Sequence, residues 1–223
     1  MVTKVFLDIE TLPPDRQASA LISSPEPCAD EEFRHLALNG DWGRVLTIGL
    51  ILEKNGQELH RGLLGRERQT MMFHLDEART LRAFWRLIKG FNVRRDFIIG
   101  HNIFDFDLLF LYKRSIIQRV RPTVNLSFAR YRSQPIFDTM HEWERWKWQR
   151  RYISLDQLAR VLGLESSKQE GMDGSKVYDK FCAGCHDEIA RYCMRDVELV
   201  RQVYNRMVFE ERADDNSEER SLD

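Results

Sequence analysis

Asp8 and Glu10 in KVFLDIETL, Asp107 in IIGHNIFDFDLLFLYKR and Asp196 in IARYCMRDVELV are the residues whose types and settings promise chemistry. They lie far apart in the chain, yet each stands where a strand ends or a helix passes, as a shared metal site requires. Carboxylate oxygens are the donors that Mg²⁺ and Mn²⁺ prefer. Such a cluster points to phosphodiester hydrolysis with two metal ions. Tyr192 stands four residues before Asp196. On a helix the two share a face, so the phenol can orient a water beside the carboxylate.

Asp8 and Glu10 are separated by one residue in an alternating strand, so both leave one face while Leu7 and Ile9 enter the core. Paired acids repel, and burial beside a sheet makes that costlier unless a cation sits between them. Asp107 follows the short buried strand DFIIG and opens a helix, the crevice where α/β proteins place ligands. Asp105 is a rival two residues away and reads as a helix N-cap if Asp107 is the functional acid. Asn102 either braces this loop or meets the substrate. Taken singly, each motif is also what a solvated strand end or an amphipathic helix shows by chance; their order and contexts are what count.

The elements that must position these side chains follow from periodicity. Residues 4–9 alternate as a strand, and a polar, proline-containing loop follows with a short helix around 30–38. Val45–Leu52 and Gln57–Leu64 flank Asn55-Gly56, the strongest short-range hairpin signal. Helical spacing begins after Asp76, a candidate N-cap, and stops near Gly90. Strand 96–100, helix 106–117 and a last strand at Ile136-Phe137 come next, with Asp138 capping a helix through 140–150. Ser154 starts a helix that ends at Gly163; a polar loop spans 165–174, and helices from about Ser175 to Phe181 and from His186 to about Glu211 complete the chain. The pattern is α/β with a mixed central sheet and helices on both faces.

The set resembles the DEDD superfamily of 3′–5′ exonucleases on the ribonuclease-H-like fold, most of all the proofreading exonuclease domain of family-B DNA polymerases. DIET is similar to the first exonuclease motif, Asn102-x-x-x-Phe106-Asp107 to the second, and Tyr192-Cys-Met-Arg-Asp196 to the third. Ser154–Gly163 resembles the helix that precedes the third motif. Arg191 stands where the histidine subclass keeps its base, so Tyr192 matches the tyrosine subclass. The resemblance implies Asp8, Glu10, Asp107, Tyr192 and Asp196 as catalytic residues. Asp8, Glu10 and Asp196 would hold a first metal that activates water, while Asp8 and Asp107 would hold a second at the leaving 3′ oxygen. Thr11, Leu12, Asn102 and Phe106 would contact substrate. It further implies Mg²⁺ or Mn²⁺ as cofactor and removal of 5′ nucleoside monophosphates from single-stranded DNA. An exoribonuclease of the same chemistry and a non-catalytic binding module on the same fold are the alternatives. The long segment 11–43 and segment 119–135 depart from the family pattern and bear on substrate access.

Two other signals compete. Cys182-Ala-Gly-Cys185-His186 spells the C-x-x-C-H haem-attachment pattern, but no export signal accompanies it and haem is not expected. A zinc site from Cys182, Cys185, His186 and Cys193 lacks regular spacing. Trp143, Trp146 and Trp148 alternate with Arg145, Arg150 and Arg151: either a base-stacking, phosphate-holding surface or an amphipathic helix burying Trp143 and Trp146. Lys113, Arg114, Arg119 and Arg121 read as a solvated helix end.

Composition sets the outer bounds. With 223 residues, 43% hydrophobic and 31% charged, the chain suits one soluble domain over residues 1–211, with an acidic, disordered tail at 212–223. A net charge of −1 neither favours nor excludes a nucleic-acid partner. No apolar run reaches a membrane span, and four cysteines without an export signal indicate a reducing, cytoplasmic setting.

Overall fold

The computed structural model describes residues 2–15, 30–147, 152–168 and 171–210. Strand β1 (Thr3–Leu12) occupies the middle of a five-stranded sheet. Val5, Leu7 and Ile9 enter the larger core with Leu81, Phe84, Trp85, Leu108 and Leu111. Phe6 points to the opposite face, onto Val197, Val200 and Tyr204. Strand alternation therefore places Asp8 and Glu10 on the face of Phe6.

Strands β2 (Arg44–Lys54) and β3 (Gln57–Leu64) form the expected hairpin. Asn55 and Gly56 have φ of 52° and 78°, the paired positive values that a twisted two-residue turn demands. Strands β4 (Phe97–Gly100) and β5 (Ile136–Asp138) extend the other side. The order is β3-β2-β1-β4-β5; the first two pairings met along it are antiparallel and the last two parallel. This is the mixed sheet of a ribonuclease-H-like α/β fold. Because β4 pairs only with Lys4–Phe6 of β1, the far half of β1 has an edge that β4 does not cover.

A short helix α1 (Asp30–His35) continues into a 3₁₀ turn over Leu36–Leu38. Helices α2 (Glu77–Leu87) and α3 (Asp107–Ile117) cover one face of the sheet. Asp76 caps α2 by accepting the Arg79 N–H at 2.9 Å. Helices α4 (Thr139–Trp143), α5 (Leu155–Val161) and α6 (Val177–Cys182) lead to the long α7 (His186–Met207). Helix α7 covers the opposite face, with Leu158 and Ala159 of α5 packed on its Leu199 and Val203. No described helix is long and apolar enough to cross a membrane.

One ion pair ties the site-bearing parts together. Arg114 of α3 donates to both carboxylate oxygens of Glu77 in α2, at 2.9 and 2.8 Å, with both side chains buried. Glu77 also accepts the Val45 N–H at 2.7 Å, so β2 joins the same knot. Arg114 is thus a buried structural cation and not part of a solvated helix end.

The helix expected through 140–150 stops at Trp143. Arg145 and Trp146 take left-handed φ of 50° and 56°, and the Trp146 N–H bonds back to the His141 carbonyl at 2.9 Å. The indole thereby stacks on the His141 ring, with centroids 4.7 Å apart and planes 9° apart, and meets Phe104 edge-on. Trp146 is consequently packed while Trp143 remains 37% exposed, so the two do not share one buried helical face. Trp148, Arg150, Arg151 and the tail 212–223 lie outside the described residues.

Candidate active site

The approach of α7 to the sheet is set by a missing side chain. Gly49 of β2 lies opposite Asp8 in register. A Cβ there would stand 2.6 Å from Cys193 Sγ and 2.9 Å from a Val197 methyl. Glycine lets α7 seat Cys193, Val197 and Val200 directly on the strands, one helical face against one sheet face. Tyr192 and Asp196, one turn apart on the shoulder of that stripe, then stand over Asp8 and Glu10.

Asp107 reaches the same place from the opposite layer. As the first residue of α3 it accepts the Ile9 N–H on Oδ1 at 3.1 Å, at the edge of β1 that β4 leaves uncovered. Asp138 fixes the preceding turn. Its fully buried carboxylate accepts the N–H groups of Asn102 and Phe104, at 3.0 and 2.9 Å. It also caps α4 through the N–H groups of Met140 and His141, at 3.0 and 3.2 Å. The rivalry between neighbouring acids resolves by geometry: Asp105 bonds His141 Nε2 at 3.0 Å and Arg130 at 2.8 Å, whereas Asp107 faces the other carboxylates. Asp105 is not the N-cap of α3 either; Phe106 occupies that position.

The four acids feel one another strongly. Burial, then the charge of Asp196, raise the Asp8 and Glu10 carboxyls well above the ordinary range. Burial pushes Asp107 up to about 7, with Asp138 and Asp196 adding to it. Asp196 is also raised by burial, against hydrogen bonds from the Ser167 and Tyr192 hydroxyls. Burial first and then Asp196, Glu10 and Asp8 hold the Tyr192 phenol far above its usual value, so it stays protonated and donates. Glu10 Oε1 is buried with no hydrogen-bond partner. Like charges gathered out of water with an orphaned oxygen among them form a set that a divalent cation completes.

The raised Asp107 carboxyl has a measurable consequence. Its folded value of about 7 exceeds the unfolded value of about 3.9, so between these pH values the folded protein holds a proton that the unfolded chain releases. The associated stability is complete below the lower value and is lost as pH rises through the higher one. Asp107→Asn mimics the protonated form and keeps an acceptor for Ile9. In chelator-treated protein, its melting temperature should gain on the wild type as pH increases from about 4 to about 8. A difference that is flat across this window would refute the shift.

A cleft of about 630 Å³ opens over the acids. Asp8, Glu10 and Asp196 contribute to its floor together with Tyr192, Thr11 and Phe106. Two expected substrate contacts lie elsewhere. Leu12 is 1% exposed and sealed in the core with Leu46, Phe73 and Met172, so it is not on the cleft wall. Asn102 holds the turn before α3 with φ of 57°, its Oδ1 buried and unpartnered.

Cys193 is a member of the site that the sequence reading placed only in a zinc alternative. Its Sγ lies 3.8 Å from Asp8 Oδ2, and donor atoms of Asp8, Glu10 and Cys193 lie within 4.8 Å of one another. Burial and the adjacent carboxylates raise the thiol well above its usual range. Among the described residues this is the one His/Cys/Asp/Glu group compact enough for an ion. Cys182 and Cys185 do not join it: they flank the left-handed Gly184 between α6 and α7, and His186 Nδ1 accepts the Phe73 N–H at 3.3 Å. Ser167, bonded to Asp196 from the polar loop after α5, was not singled out by any motif.

None of the curated proteins matches this chain. A family model does, over residues 37–222: it includes Asp107, Tyr192 and Asp196 and begins after β1, which carries Asp8 and Glu10. The sheet order and the gathered acids agree with that match. With most of its length covered, the chain belongs to the family described as predicted 3′–5′ exonucleases related to the exonuclease domain of PolB.

Proposed function

We propose that the chain is a divalent-metal-dependent exonuclease that shortens single-stranded DNA from its 3′ end and releases 5′ nucleoside monophosphates. One observation carries this reading. Asp8, Glu10 and Asp196 line the floor of an open cleft with Asp107 beside them, burial and neighbouring charge raise their carboxyls, and Glu10 Oε1 is unpaired among them. An all-oxygen donor set of this kind fits Mg²⁺ or Mn²⁺. Asp8, Glu10, Asp107 and Asp196 would hold the ions. Bound there, two cations would acidify an attacking water and stabilise charge on the phosphate and the leaving oxygen.

The chain's own groups have defined tasks. Asp107 is steered inward by the Ile9 N–H, and its turn is braced by Asp138. Asp196 is oriented by Tyr192 and Ser167. The protonated Tyr192 is a hydrogen-bond donor at the cleft floor, where it orients water and does not serve as a base. Phe106 and Thr11 offer apolar and polar surface to a terminal nucleotide. The size of the cleft suits a strand end.

The test uses end-labelled DNA and RNA oligonucleotides with Mg²⁺, Mn²⁺ or chelator, products being resolved by length. A one-nucleotide ladder from the 3′ end of DNA, absent with chelator, supports the reading. A ladder on RNA alone reassigns the substrate, and binding without any ladder replaces the enzyme by a binding module. In the same assay Tyr192→Phe should retain a trace of activity, lowered roughly 10²-fold, because water is less well oriented while the acids remain. An unimpaired Tyr192→Phe enzyme would remove the phenol from the mechanism.

A further inference from the structure

The floor of the cleft is anionic, as metal chemistry demands, yet a nucleic-acid strand is a polyanion. Something on the walls must attract it. The segment 11–43, which departs from the family pattern, supplies one side of that wall. Helix α1 contributes Arg34, and across the opening α6 contributes Tyr178 and Asp179; all three line the same cleft as Asp8 and Asp196. Arg34 donates to Asp179 across the gap. The guanidinium also lies 5.9 Å from the Tyr178 ring centre. That ring is in turn held edge-on by Phe33, which is only 6% exposed.

This clasp is anchored beneath and loose on top. Phe33 is buried, but the Arg34 and Asp179 side chains are 44% and 53% exposed. An ion pair so accessible to water contributes little to stability, so its partners exchange readily. A guanidinium is always charged, and its planar fork suits a phosphate at least as well as a carboxylate.

We propose that Arg34 is an exchangeable phosphate contact. In the free protein Asp179 holds it across the cleft; on binding it transfers to a backbone phosphate of the incoming single strand, and Asp179 acts as the competitor. The proposal rests on the nucleic-acid substrate argued above and names a positioning residue for it, with its intramolecular rival.

The two partners are then expected to act in opposite senses, which a merely structural bridge would not produce. With Mn²⁺ and a single-stranded DNA oligonucleotide, Arg34→Gln should raise KM about tenfold, with kcat changed far less. Arg34→Lys should recover part of the loss. Asp179→Asn should lower KM several-fold by removing the carboxylate that competes with the phosphate. The slope of log KM against log salt should fall by about 1 in Arg34→Gln, one fewer phosphate being neutralised. Melting temperatures of all three variants should match the wild type. If Arg34→Gln and Asp179→Asn move KM in the same direction, or if neither moves it, the clasp is structural and the proposal is overturned. Should the wild type fail to degrade DNA, anisotropy of the labelled oligonucleotide reads the same opposed shifts in Kd. Opposed shifts without hydrolysis keep this proposal while rejecting the nuclease reading, and parallel or absent shifts reject this proposal alone.

Discussion

Asp196→Ala is expected to lower kcat/KM on single-stranded DNA by roughly 10³-fold or more, because it removes charge stabilisation realised at the transition state. The reasoning is electrostatic. Asp196 is the largest carboxylate contribution to the raised pKa of both Asp8 and Glu10, so it is the member most tightly coupled to the others. Its removal relieves repulsion in the free protein. The folded state should therefore survive even though Tyr192 and Ser167 lose their acceptor. Asp107→Ala belongs to the same class but orphans the Ile9 N–H. Kinetics should be paired with thermal melting: lost activity with an unchanged transition supports the assignment, and full activity in either variant rejects it.

Glu77→Ala should produce the largest loss of stability, about 3–5 kcal/mol, as expected when a buried ion pair loses one partner. Arg114 is left buried with its charge uncompensated, and the Val45 N–H loses its acceptor. Denaturant titration gives the value directly. Replacing both charges, by Glu77→Leu with Arg114→Met, should cost less than Glu77→Ala alone, because no isolated charge remains in the core. A single substitution costing under about 1 kcal/mol would mean that the pair is solvated in practice. The pair matters for function because it docks α3, and hence Asp107, against α2 and β2.

Much of this arrangement was legible in the chain. Alternation around Asp8 and Glu10 gave their shared face, Asn55-Gly56 gave the hairpin, and the four-residue spacing gave the Tyr192–Asp196 pair. What escaped depends on contacts between distant segments. Local periodicity continued the helix past Trp143; stacking of Trp146 on His141 ended it, a tertiary contact that spacing does not encode. Arg114 reads as a surface residue until Glu77 is placed beside it. Leu12 follows the acids in sequence but is buried because distant segments cover it, with Phe73, Met172 and Ile189 packed in the same cluster. Cys193 becomes a neighbour of Asp8 only through the register that sets Gly49 opposite that acid. The family resemblance favoured Asp107 over its rival Asp105; in the structure His141 and Arg130 engage Asp105, and the Ile9 N–H engages Asp107.

The central claim is that these acids form one cation-binding centre. Titrating chelator-treated protein with Mn²⁺, followed by calorimetry or by the spin-resonance signal of the free ion, addresses it without any substrate. The expected result is saturable binding of two ions per chain, greatly weakened in Asp8→Asn and accompanied by a higher melting temperature in the wild type. Absence of saturable binding, or identical binding by Asp8→Asn, would contradict the account.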